Sequence, residues 1–146
     1  RKIMKIVNCG YDNRHPNGFR INRPNGSGDY ILLIVRSPAS FTFEGIEYFT
    51  NGNAVVIFNK GTPQLYGSNN TEYINDWIHF ECDENDVNFL AELGIEFDKI
   101  LEFQNVGALS NFIKQMYFEK YSNNKNLNKI TIKNVTQGYI SNHISF

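Results

Sequence analysis

Six consecutive apolar residues, Tyr30-Ile31-Leu32-Leu33-Ile34-Val35, constrain this chain more than any other segment. The run is far too short to span a bilayer and has the length and composition of a strand. Side chains alternate along a strand, so Tyr30, Leu32 and Ile34 share one face and Ile31, Leu33 and Val35 the other. A strand apolar on both faces is covered on both faces. Its sheet is therefore expected to close around an interior and to carry a second layer outside.

Turn signals are dense before residue 75: Asn17-Gly18, Asn25-Gly26, Asn51-Gly52 and Asn69-Asn70 all tolerate left-handed backbone. Between them lie short runs rich in Ile, Val, Phe and Tyr, the pattern of a β-sandwich or barrel. The expected strands are Lys2–Asn8, Asp29–Arg36, Ser40–Glu44, Glu47–Asn51, Ala54–Asn59, Gln64–Gly67 and Tyr73–Cys82. Turns at Glu44-Gly45-Ile46 and Asn51-Gly52-Asn53 separate three of them. Glu84–Leu93 is predicted to be a short helix with an acidic start and Gly94 as its stop, and Phe97–Phe103 to be extended. Asn105–Ser122 is the one clear long helix, with Leu109, Phe112, Ile113, Met116 and Tyr117 forming an apolar stripe. That stripe either packs on the strands or meets a second chain, since Phe118 and Tyr121 add apolar surface beside it. Ser122–Asn128 is a polar break, and the tail to Phe146 mixes strand and helix spacing.

The chain has 146 residues, the size of one domain, and can close a core without disulfides or a structural metal. A formal net charge of −1 supplies no basic excess for holding nucleic-acid phosphates. Cys9 and Cys82 have no metal-binding spacing and read as reduced thiols of a cytoplasmic protein. No charged-then-apolar leader opens the chain, so secretion is not expected and the Asn-x-Ser/Thr matches at Asn69 and Asn134 mean little; Arg1 is not a start methionine, so the chain is expected to be either a piece chosen for expression or a trimmed fragment.

The chemistry of catalysis is sparse. The histidines are His15, His79 and His143, in a loop, a strand and the tail, and no His-x-His occurs. This cannot supply a three-His-and-carboxylate metal site, so no metal or other cofactor is expected. No nucleophile elbow is present, and Glu44 and Glu47 flank a solvated hairpin. Recognition residues are richer. On the strand Tyr73–Cys82, Tyr73, Asn75, Trp77 and His79 share a face. Aromatic rings pack on C–H surfaces while amides bind hydroxyls, so this face suits a polar ligand with apolar sides. The alternative is that Trp77 and His79 are ordinary core residues.

Several segments taken in order carry a resemblance: Cys9-Gly10-Tyr11, Arg23-Pro24, Asp29-Tyr30-Ile31-Leu32-Leu33, Phe43-Glu44-Gly45, Gly61-Thr62-Pro63-Gln64-Leu65-Tyr66, Tyr73, and Asp76-Trp77-Ile78-His79-Phe80. Over residues 5–122 the chain resembles the N-terminal cupin-type regulatory domain of AraC/XylS transcription regulators. The resemblance implies a mainly-β fold, a cupin double-stranded β-helix or jelly-roll barrel followed by a C-terminal α-helical segment. It also implies a ligand in the barrel mouth, helices that pair two chains, and a DNA-binding domain beyond this chain. The family's sugar-binding Arg, Tyr and Trp fall on Arg23, Tyr66 and Trp77. Two family histidines are replaced by Asn75 and Gln64, which keep hydrogen-bonding ability without a titratable ring.

The expectation is thus a barrel over residues 1–104, a dimerising helix over 105–122 and a tail over 123–146. Its role would be the effector-sensing part of a transcription regulator rather than an enzyme, with no cofactor and no membrane partner. Arg23, Tyr66, Asn75 and Trp77 would bind a small sugar-like effector; Leu109, Ile113, Met116 and Tyr117 would form a homodimer. Promoter DNA would be reached only through the further domain. Two rivals stand beside it: a metal-free cupin epimerase or isomerase, favoured by a His–Asp or Tyr pair aimed into the pocket, and a structural dimer module with a filled interior.

Overall fold

A computed structural model of the chain describes residues 5–121. The strands are β1 (Lys5–His15), β2 (Arg20–Arg23), β3 (Tyr30–Val35), β4 (Ala39–Phe43), β5 (Ile46–Thr50), β6 (Ala54–Phe58), β7 (Gln64–Ser68), β8 (Tyr73–Glu81) and β9 (Leu101–Glu102); the helices are α1 (Glu84–Glu92) and α2 (Gly107–Tyr121). Two sheets result, in the orders β1-β8-β3-β6-β9 and β2-β7-β4-β5. The start of the first expected strand, residues 2–4, and everything expected over 122–146 lie outside the described residues.

The closed cupin jelly-roll barrel is corrected by this topology. Both sheets are open: β1 and β9 are the free edges of one, β2 and β5 of the other. Closure requires every edge strand to find a hydrogen-bonding partner. Here β9 pairs only with Ala54 and Val55, and β5 leaves Ile46, Tyr48 and Phe49 exposed. The sheets meet through side chains instead.

The two-faced strand β3 behaves as its alternation requires. Ile31, Leu33 and Val35 enter the layer between the sheets with Phe41, Val56, Phe58, Tyr66 and Tyr73. Leu32 and Ile34 enter the layer beneath the helices, with Ile78, Phe80, Leu109, Ile113 and Met116. The second cover is therefore α2, whose apolar stripe packs on the outer face of the five-stranded sheet. Asp83 caps α1 through a reciprocal box with Asp86, and Gly94 follows at φ 80°.

Two strands depart from expectation. β1 continues past Asn8 to His15 because irregularities between Ile6 and Asn8 and between Gly10 and Asn13 break its alternation without ending its pairing with β8. β2 was not expected at all. Its four residues pair with β7 from Arg20 opposite Gly67 to Arg23 opposite Gln64.

One buried carboxylate ties these layers together. Asp76, on β8, is 0% exposed and accepts from Arg36 Nε (3.1 Å), Arg36 Nη2 (3.0 Å), Ser110 Oγ (2.8 Å) and the Asp12 backbone N–H (2.7 Å). Arg36 also donates to Asp12 Oδ1 at 2.7 Å. A single side chain thus joins β8, the β1 bulge and α2. Among the described residues no helix is long and apolar enough to cross a membrane.

Candidate functional site

Period-two alternation on three segments builds one cavity of about 310 Å³ between the sheets. Asn13 and His15 face it from β1, Ile21 and Arg23 from β2 with Phe19 just before, and Asn75, Trp77 and His79 from β8. Ile31 and Tyr66 complete the lining. All four residues expected to bind a ligand, Arg23, Tyr66, Asn75 and Trp77, therefore border the same space, although they come from three strands on two sheets.

The wall is part aromatic and part polar. Phe19 stacks on His15 at 3.9 Å between centroids and on Tyr73 at 4.8 Å. Trp77 meets His79 edge-on at 5.2 Å. Arg23 Nη1 donates to Gln64 Oε1 at 2.9 Å, and Gln64 is itself buried. His79 Nδ1 lies 2.8 Å from Asp29 Oδ1.

Burial raises the pKa of the Tyr66 hydroxyl, an effect the neighbouring Arg23 partly offsets. Burial pushes the Tyr73 hydroxyl well above the usual tyrosine range. Both groups therefore stay neutral hydrogen-bonding partners. Among the described residues the Asn75 amide oxygen is buried with no hydrogen-bond partner. An unsatisfied buried polar atom costs about 1–3 kcal/mol, which a bound polar molecule can recover.

The sequence pattern puts His79 on the recognition face of its strand, with a core role as the alternative, and treats His15 only as a metal-ligand candidate; it does not mark Asn13, Phe19 or Ile21. The alternation Phe19, Ile21, Arg23 was a usable signal, hidden by the Asn-Gly turns on either side. Among the described residues no group of three or more His, Cys, Asp or Glu side chains could hold a metal ion.

The residues expected to dimerise lie on α2. Leu109, Ile113 and Met116 are buried in the chain's own core, and Tyr117 is half-buried against it. Among the described side chains of α2, the large apolar one that is exposed is Phe118.

No family model matches the chain, and no curated protein matches it. Among solved structures it is similar to ToxT from Vibrio cholerae, at 11% identity and a TM-score of 0.36 over 90% of this chain and 59% of that one. It is also similar to wild-type ToxT from Vibrio cholerae with an unsaturated fatty acid bound, at 10% identity and a TM-score of 0.33 over 89% of this chain and 56% of that one. The chain spans less than two thirds of either structure's length. Likeness at this level carries no argument about ligand or role.

Proposed function

We propose that the chain is a ligand-binding domain of a transcription regulator, taking a small polar, sugar-like effector in the cavity between its sheets. The observation that carries this reading is the convergence of Arg23, Tyr66, Asn75 and Trp77 on one cavity beside the unsatisfied Asn75 oxygen. Trp77 supplies a stacking face, Arg23 a planar fork of donors, Asn75 an amide and Tyr66 a ring with a hydroxyl. The resemblance of the motif segments to AraC/XylS regulators adds the role: effector binding linked to DNA binding by a separate domain, within a homodimer. On α2, Phe118 is exposed and would be open to a partner chain, whereas Leu109, Ile113 and Met116 are buried.

A second reading has one observation in its favour. The His79–Asp29 pair beside the cavity is the acid–base arrangement a metal-free isomerase would use. Turnover of a bound sugar would support that reading, and binding without turnover supports the sensor.

Thermal shift against sugars and small acids, followed by calorimetry, tests the proposal. Trp77→Ala should weaken a bound ligand by roughly ten- to a hundredfold, about 1–3 kcal/mol. Arg23→Lys should weaken it as well, because a point charge cannot replace a fork. A ligand indifferent to both substitutions would show that the cavity is not its site.

A further inference from the structure

Arg23 and His79, two polar side chains that line the cavity, are joined through Gln64, Ser27 and Asp29 by a hydrogen-bonded chain whose direction is set at both ends. Arg23 Nη1 donates to Gln64 Oε1 at 2.9 Å. Gln64 Nε2 donates to Ser27 Oγ at 3.4 Å. Ser27 Oγ donates to Asp29 Oδ1 at 2.7 Å, and the same oxygen lies 2.8 Å from His79 Nδ1. A guanidinium only donates, so the Gln64 oxygen must face Arg23 and its NH2 must face Ser27. A carboxylate only accepts, so the ring nitrogen against Asp29 must carry its proton. The two constraints agree, and the chain crosses from the four-stranded sheet to the five-stranded one through the Ser27–Asp29 loop.

The consequence falls on the other ring nitrogen. In a neutral imidazole whose Nδ1 is protonated, Nε2 is a lone-pair acceptor. Among the described residues Nε2 has no hydrogen-bond partner, and His79 lines the cavity. Arg23 lines the same cavity as a pure donor.

We infer that His79 Nε2 is a specificity-determining acceptor in this cavity, held in that tautomer by Asp29, Ser27 and Gln64, so that the ligand must bring a hydroxyl donor to it. The inference rests on the proposed ligand-binding reading and narrows it. A hydroxyl donates to His79 and accepts from Arg23, whereas a carboxylate accepts only and would set its charge against the Nε2 lone pair. The ligand class is therefore a polyol that turns a hydroxyl, not a carboxylate, to His79. Asp29, Ser27 and Gln64 are positioning residues that act through the ring.

The whole chain is used for the test. Long-range ¹H–¹⁵N correlation spectra read the His79 tautomer without any ligand, and the protonated Nδ1 form is expected. Asp29→Asn should shift the population toward the other tautomer, and Ser27→Ala serves as the milder break if that variant folds poorly. A thermal-shift panel then sets neutral aldoses and alditols against small carboxylic acids that carry no hydroxyl. Neutral members should bind, and Asp29→Asn should weaken them about tenfold. A wild-type ring protonated on Nε2, binding by the acids alone, or neutral ligands indifferent to Asp29→Asn would each overturn the inference. With no hit in either class the ligand-binding reading itself fails, while the tautomer still judges the hydrogen-bonded chain.

Discussion

The Trp77 indole lies directly over the backbone of Gly10, its partner in the β1–β8 register. A Cβ on Gly10 would sit 2.4 Å from Trp77 Cε2 and 2.6 Å from Asn13 Oδ1. Only a residue without a side chain allows the ring to occupy that place, so Gly10 is part of the cavity wall without lining it.

Gly10→Ala should therefore displace Trp77 and cost about 1–3 kcal/mol of stability, the usual range for overpacking. Denaturant unfolding measures the loss, and Trp77, the only tryptophan, reports the displacement by its fluorescence. An unchanged emission maximum with unchanged stability would contradict the packing.

Asp76→Ala should be among the most damaging single changes. It removes the acceptor shared by Arg36, Ser110 and the Asp12 backbone, while Arg36 keeps Asp12 as a partner. Breaking one side of such a buried pair costs about 3–5 kcal/mol, and the remaining Asp12 contact points to the lower end. Ser110→Ala removes a single hydrogen bond and should cost about 1 kcal/mol. Urea titrations of the two variants compare them, and equal effects would deny Asp76 its central place.

Alkaline pH should destabilise the fold through groups whose protons it holds. Burial, reinforced by Asp86, Asp83 and Glu81, pushes the Cys82 thiol from 9.0 up to about 12. Burial raises Cys9 as well, and Tyr73 strongly. These pKa values are raised on folding, so the unfolded chain releases its protons first. The stabilisation is complete below about pH 9 and drains away as pH rises toward 12. Melting temperatures from pH 8 to 11 should fall, and less steeply for Cys82→Ser.

Substitutions on α2 should separate folding from assembly. Met116→Glu places a charge in the core layer under the helix and should unfold the domain or destabilise it by more than about 3 kcal/mol. Phe118→Glu alters a side chain that is 56% exposed and should leave the fold intact. Sedimentation of wild type and Phe118→Glu then reads the proposed dimer. A dimer unchanged by Phe118→Glu would place the interface elsewhere.

Local rules made much of the fold legible. Alternation in Tyr30–Val35 demanded two apolar covers, and both exist. The Glu44-Gly45 and Gly52-Asn53 turns, all at positive φ, separate β4, β5 and β6 as their residue types suggested. These features depend on side chains within a few residues of one another, so the sequence displays them directly. β2 was not legible, because four residues with two arginines form a strand only when β7 lies beside them.

Two-sided burial of β3 is a property of its own six residues, and the sequence by itself determined it. Whether the covering sheet closes was decided by the edges of other strands. A short β9 and an exposed β5 leave both sheets open, and no alternation in β3 encodes that outcome. The resemblance selected Arg23, Tyr66 and Trp77, left out Ser27, gave Asp29 no role and marked Gln64 only as a departure. Those three gain their meaning from contacts across 37 and 50 residues of chain, Gln64 to Ser27 and Asp29 to His79. Hydrogen bonds act over about 3 Å in space, whatever the separation along the chain. Arg23, Tyr66, Asn75 and Trp77 were therefore singled out from the sequence as candidates, and only the tertiary structure brought them to one cavity and gave their neighbours hydrogen-bond partners.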